Sequence, residues 1–132
     1  MASCGREGEG LYHWIGEWGC REAYRARRAA FAPDGWGQYL SPSGEVVLLL
    51  EWDRGTESPQ RIGLKASQYI AYFRGRRDAH LSNVLFVVDR EAREASVREA
   101  ILAQLARTPG TCCSFWTTNL SALDSEHRRL HR

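Results

Sequence analysis

The sequence predicts an α/β (α+β) domain with a mixed central β-sheet flanked by helices, in the order α-β-β-α-β-α-β. Two short runs, Val46-Val47-Leu48-Leu49-Leu50 and Val84-Leu85-Phe86-Val87-Val88, have the unbroken hydrophobicity of strands buried on both faces. Segments with apolar residues at helical spacing alternate with them. Ser41-Pro42-Ser43-Gly44 is a turn that joins the first run to a shorter strand as a hairpin. With 132 residues, 43% of them hydrophobic, the chain suits one domain and can bury a core without disulfides.

The elements follow in order. Residues Met1 to Gly10, rich in Gly and Glu, are expected to be disordered. Leu11 to Phe31 carries Trp14, Trp18, Tyr24 and Phe31 at helical spacing, so a helix is expected there, firmest from Cys20 because Gly16 and Gly19 weaken its start. Pro33 and Gly35 end it. Trp36–Leu40 reads as a strand and Glu45–Asp53 as the central one. Ser58, a capping residue, and Pro59, at the first helical position, open a helix that runs to about Phe73. Gly75–Ser82 is a polar loop and Asn83–Val88 a second buried strand. Arg90–Ala106 is a helix with Val97, Ile101 and Leu105 on one face. After the Thr108-Pro109-Gly110 break, Thr111–Thr118 is a last strand. The single domain is thus 11–118, followed by a polar, basic tail, 119–132.

A formal charge of +2 excludes a polybasic nucleic-acid coat. The arginines are clustered, at Arg21, Arg25, Arg27 and Arg28, at Arg74, Arg76 and Arg77, and at Arg128, Arg129 and Arg132. Guanidinium forks of this kind meet phosphates, although a solvated helix surface has the same composition. Lys65 is the chain's one lysine. Cys4, Cys20, Cys112 and Cys113 form no CxxC pair and fit no zinc spacing, which leaves structural thiols. No signal-peptide stretch and no membrane-length apolar run occurs, so the cytoplasm is expected and no membrane partner.

The chemistry concentrates on the hairpin. With Ser41–Gly44 as the loop, Leu40 pairs with Glu45, every facing pair of residue numbers sums to 85, and Asp34 faces Glu51 at roughly 4.5–5.5 Å between Cβ atoms. Asp53, two residues on, shares that face. Three carboxylates at the end of one strand repel one another and call for a cation, and Mg²⁺ (or Mn²⁺) accepts such oxygens together with waters and phosphates. The other reading makes Asp34-Gly35 a turn and Asp53 a cap. Lys65, on the next helix with Tyr69 one turn on, can reach a phosphate or orient a water, or can be a snorkelling surface lysine. Glu17 can add a metal ligand, or pair with Arg21 at i,i+4. Arg54 and Thr56 flank the carboxylates and can contact phosphate.

Pro33-Asp34-Gly35-Trp36-Gly37, Leu48-Leu49-Leu50-Glu51-Trp52-Asp53-Arg54-Gly55-Thr56-Glu57, Lys65 with Tyr69, and the Val84–Val88 strand resemble the replication-relaxation family of plasmids and other bacterial mobile elements, over about Trp14 to Thr118. The Glu-x-Asp-Arg-Gly-Thr-Glu segment is the specific part. The resemblance implies a PD-(D/E)XK nuclease-like core, in which Asp34 and Glu51 match the metal-binding pair. Asp53 stands where those nucleases usually carry a lysine, a role that Lys65 can assume. Lys65 and Tyr69 are similar to a helix-borne Gln-x-x-x-Tyr element, and Glu17 to a helix glutamate. Relatives tend to carry an N-terminal winged helix, for which the residues before Leu11 are too few.

The expectation is therefore a DNA-processing protein of a plasmid or mobile element, cleaving or nicking DNA with Mg²⁺. Asp34, Glu51, Asp53 and Lys65 are the catalytic set, with Asp34, Glu51, Asp53 and Glu17 on the metal. Arg54, Thr56, Tyr69, Arg74, Arg76 and Arg77 are on phosphate. The alternative is a catalytically inactive DNA-binding or protein-interaction accessory in plasmid replication, mobilisation or transcription control. The expected partners are DNA and plasmid replication or mobilisation proteins. A homodimer is also open, with Thr111–Thr118 as an exposed edge.

Overall fold

A computed structural model describes residues 10–29, 31–76, 82–110 and 113–122. The elements are β1 (Gly10–Ile15), α1 (Glu17–Ala26), β2 (Gly35–Ser41), β3 (Gly44–Trp52), α2 (Pro59–Phe73), β4 (Ser82–Val88), α3 (Glu91–Ala106) and β5 (Ser114–Asn119). The strands lie in the sheet in chain order, β1-β2-β3-β4-β5. The first three run antiparallel, and the β3–β4 and β4–β5 pairs are parallel, with α2 and α3 as the crossovers. This is the expected mixed α/β sheet flanked by helices, consistent with a restriction-endonuclease-like fold.

The order departs from expectation at its start. The single helix expected over Leu11–Phe31 is a strand followed by a ten-residue helix. The cause is non-local. The Trp14 ring lies over Gly35 and Gly37 of β2, where an added Cβ would come within 2.4 and 2.9 Å of it. Two glycines on a neighbouring strand thus make the slot that holds Trp14 extended. On the other face His13 packs edge-on against Trp36, with ring centroids 5.3 Å apart, and bonds Gln38 at 3.1 Å.

The other elements form for local reasons that the sequence shows. The hairpin register is as expected, from Gly35 opposite Leu50 to Leu40 opposite Glu45. The Ser58 hydroxyl accepts from the Arg61 N–H at 3.2 Å and caps α2, with Pro59 beginning the helix.

One buried cluster joins Tyr24 of α1, Ile62, Ala66, Tyr69 and Phe73 of α2, and Val97 and Ile101 of α3 to Leu49, Val84, Phe86 and Val88 of the sheet. These strand residues share one face by register. The described helices therefore gather on one side. Within the Val46–Leu50 run only Leu49 is fully enclosed, while Leu48 and Leu50, on the opposite face, are half-buried. Burial of β3 on both faces is thus not observed.

Gly10, expected in a disordered segment, begins β1, and Asn119, placed in the tail, ends β5. Residues 1–9 and 123–132, and with them the expected disorder and the Arg128, Arg129 and Arg132 cluster, lie outside the described residues.

Candidate functional site

The site lies where β3 ends. In open α/β sheets ligands bind beyond the carboxyl ends of parallel strands. Here an open cleft of about 540 Å³ is bordered by Glu17, Asp34, Arg54, Thr56, Glu57 and Lys65. Asp34 is fixed twice to β3. Its N–H donates to the Leu50 carbonyl at 2.8 Å, and its Oδ2 accepts from the Trp52 N–H at 2.7 Å. Glu51 is buried beside it, 4% exposed. Its Oε1 accepts from the Tyr69 hydroxyl at 2.5 Å, and its Oε2 lies 3.5 Å from Lys65 Nζ. Burial pushes the Glu51 carboxyl up to about 7 against the opposing pull of Tyr69 and Lys65, and the negative charge of Asp34 adds to the rise.

Asp53, two residues on and just past β3, has the opposite surroundings. Arg93 from α3 clamps it through both oxygens, Nε to Oδ2 at 2.6 Å and Nη2 to Oδ1 at 2.8 Å. The guanidinium holds this carboxyl below its ordinary value, although it too is buried. Arg93 Nη2 also donates to the Glu57 carbonyl at 2.7 Å, which ties the β3–α2 loop to α3. Lys65 donates to Glu57 Oε1 at 2.6 Å, nearer than to Glu51. Burial presses the lysine's pKa down, but the Glu57 bond and the Glu51 and Asp34 charges outweigh it and raise it.

Asp34, Glu51 and Lys65 therefore come together, as expected, with Arg54 and Thr56 on the cleft wall. The third carboxylate does not join them. Asp53 is occupied by Arg93, Glu17 pairs with Arg21 at 2.7 Å, and no three His, Cys, Asp or Glu side chains among the described residues make a metal cage. Tyr69, expected on phosphate, is fully buried and serves Glu51 instead. Arg74 and Arg76 sit at the far end of α2, about 13 Å or more along its axis from Lys65, and the Arg76 guanidinium lies 4.5 Å from the centre of the Tyr72 ring. Arg77 lies outside the described residues. Buried Cys20 is an inert thiol, pushed up to about 11 by burial.

Two participants escaped the sequence reading. Glu57 ends the Glu-x-Asp-Arg-Gly-Thr-Glu segment and stands eight residues before Lys65, so a signal existed. Arg93 sits among Glu91, Glu94 and Arg98 on what reads as an ordinary charged helix, 40 residues from Asp53, and no local pattern marks it.

A family model described as replication-relaxation matches residues 1–88. The chain belongs to the replication-relaxation family. Membership carries a DNA-related role in replication and relaxation. The match begins earlier and ends sooner than the Trp14–Thr118 span of the resemblance. It covers Asp34, Glu51, Asp53, Lys65 and Tyr69 and stops at the end of β4, so Arg93 lies beyond this replication-relaxation segment. No curated protein and no solved structure matches the chain.

Proposed function

We propose that this replication-relaxation domain cleaves or nicks DNA phosphodiester bonds with the help of Mg²⁺ or Mn²⁺ held by Asp34 and Glu51. The observation that carries the reading is the buried Glu51 carboxyl, raised to about 7 beside a second carboxylate at the end of the central strand. A buried carboxyl raised in part by a like neighbour is one that a cation relieves. Two carboxylates fit Mg²⁺, which keeps several waters and accepts phosphate oxygens for the remainder of its shell. When bound, the ion supplies positive charge to the reacting phosphate.

The chain's own groups do the rest. Tyr69 fixes the rotamer of Glu51 through its hydroxyl. Trp52 N–H fixes Asp34. The Lys65 ammonium, anchored on Glu57, adds positive charge where the pentacoordinate phosphorus of the transition state gathers negative charge. Arg54 and Thr56 on the cleft wall hold the DNA backbone and carry no sequence information. Plasmid replication or mobilisation proteins, in the cytoplasm, are the partners that such an activity would serve. No helix among the described residues is long and apolar enough to cross a membrane.

One observation favours a second reading. The position two residues after Glu51 carries the Asp53–Arg93 clamp, and Lys65 is closer to Glu57 than to Glu51. A domain so arranged binds DNA or protein without cutting. Supercoiled plasmid with Mg²⁺ or Mn²⁺ separates the two. The first reading expects metal-dependent nicking that falls at least about a hundredfold in both Asp34→Asn and Glu51→Gln. DNA binding without nicking, indifferent to both substitutions, establishes the second.

A further inference from the structure

We propose that the helix-free face of the sheet is a dimer interface that takes a second copy of this chain, sheet against sheet. By register, Trp14 and Tyr39 of the first two strands share this face with Leu48 and Leu50 of β3, Leu85 of β4 and Trp116 of β5. None of the side chains that alternate onto it from the five described strands is Asp, Glu, Lys, Arg or His. That is unusual in a chain with 26% charged residues, because strands with one packed and one solvated face normally alternate, apolar inward and polar outward. The large rings at its margins are open, Trp14 at 44%, Tyr39 at 39% and Trp116 at 57% exposure.

The absence of charge selects the occupant. Nucleic acid, even where bases stack on aromatic rings, needs cations for its phosphates, and an anionic membrane surface needs them too. Among the described strands this face offers none, so its partner is an uncharged protein surface. A second copy meets that condition without any like-charge opposition. It also fits the geometry. The central strand of the five is β3. A two-fold axis along it lays Leu48 and Leu50 against their own symmetry mates. The same axis sets Trp14 of β1 opposite Trp116 of the other copy's β5, twice, because such an interface is self-complementary. Their heights differ by two residues, about 6.6 Å along the strands, a step that two large indole rings can span, since Trp14 is in register with Leu48 through Gly37, and Trp116 with Leu50 through Leu85. Aligned sheets of this kind pack about 10 Å apart. Five strands about 4.8 Å apart and about 20 Å long present roughly 500 Å² of flat area per copy, so two copies bury on the order of 1,000 Å² before side-chain relief is counted. That reaches the size of a specific interface.

Sedimentation equilibrium of the full chain at micromolar concentration tests this, with Trp116→Glu and Tyr39→Glu as variants and far-UV circular dichroism to show that each stays folded. The expected result is a wild-type dimer that each folded variant weakens at least about 30-fold, as the loss of an aromatic anchor does. A monomeric wild type overturns the proposal and hands the face to another segment or partner. A dimer that ignores both substitutions overturns it as well, because the contact then lies elsewhere.

Discussion

Glu51, near the end of β3, and Asp53, just past it, are two carboxylates two residues apart, and both are buried. Their partners separate them. Glu51 has a phenol at 2.5 Å and an ammonium at 3.5 Å, which is not enough to offset burial, and its carboxyl rises to about 7. Asp53 has a two-pronged guanidinium, which outweighs burial and holds its carboxyl down. A buried acid with a full counter-charge is structural. One left short of positive charge is poised for a proton or a metal ion. The difference teaches that burial alone does not mark a functional carboxylate, and that its neighbours must be counted.

The comparison breaks most heavily at Arg93. Arg93→Ala strands a buried charge at Asp53 and releases the Glu57 carbonyl, so a loss of about 3–5 kcal/mol is expected in urea denaturation at neutral pH. A loss below about 1 kcal/mol would show that the clamp is not structural.

Next is the pH dependence. Glu51 is raised from 4.5 to about 7 in the folded chain, so its protonated form is favoured there. The stability it contributes is complete below about 4.5 and is lost as pH rises through about 7, on the order of 3 kcal/mol in all. Asp53 has the opposite sign. Its contribution is present above its ordinary 3.8 and is lost as pH falls through the lowered folded value. Stability is therefore expected to peak in mildly acidic solution. Glu51→Gln removes the decline on the alkaline side, and denaturation midpoints from pH 4 to pH 8 reveal whether it does.

Tyr69→Phe sharpens the comparison with a smaller change. Losing the hydroxyl costs about 1 kcal/mol at neutral pH and moves the Glu51 titration further up, because that bond favours the charged form. A downward movement in a carboxyl-detected NMR titration would contradict the assignment. Smallest of all is Glu17→Ala. Its side chain is 59% exposed and paired with Arg21, so less than about 0.5 kcal/mol is expected in thermal melts, with plasmid nicking unchanged.

Much of this was legible in the sequence where the cause was local. The hairpin register followed from the turn residues, and it placed Asp34 opposite Glu51. The α2 boundaries followed from Ser58 and Pro59. Three features were not legible because their causes are distant in the chain. Strand β1 depends on a glycine slot in β2. The fate of Asp53 depends on Arg93, 40 residues away. The one-sided placement of the helices depends on which face each crossover takes, and an apolar run reads alike whether helices or another molecule cover it. The tyrosine one turn after Lys65 was visible, but its job was not, since spacing on a helix does not tell whether a hydroxyl points to phosphate or inward to an acid.

The most direct test is a carboxyl ¹³C NMR titration of the metal-free wild-type chain, with Glu51 and Asp53 assigned by substitution. Glu51 is expected to titrate near 7 and Asp53 below 3.8. Midpoints near ordinary values for both, or Asp53 titrating above Glu51, would contradict the division of this pair into a working carboxylate and a structural one.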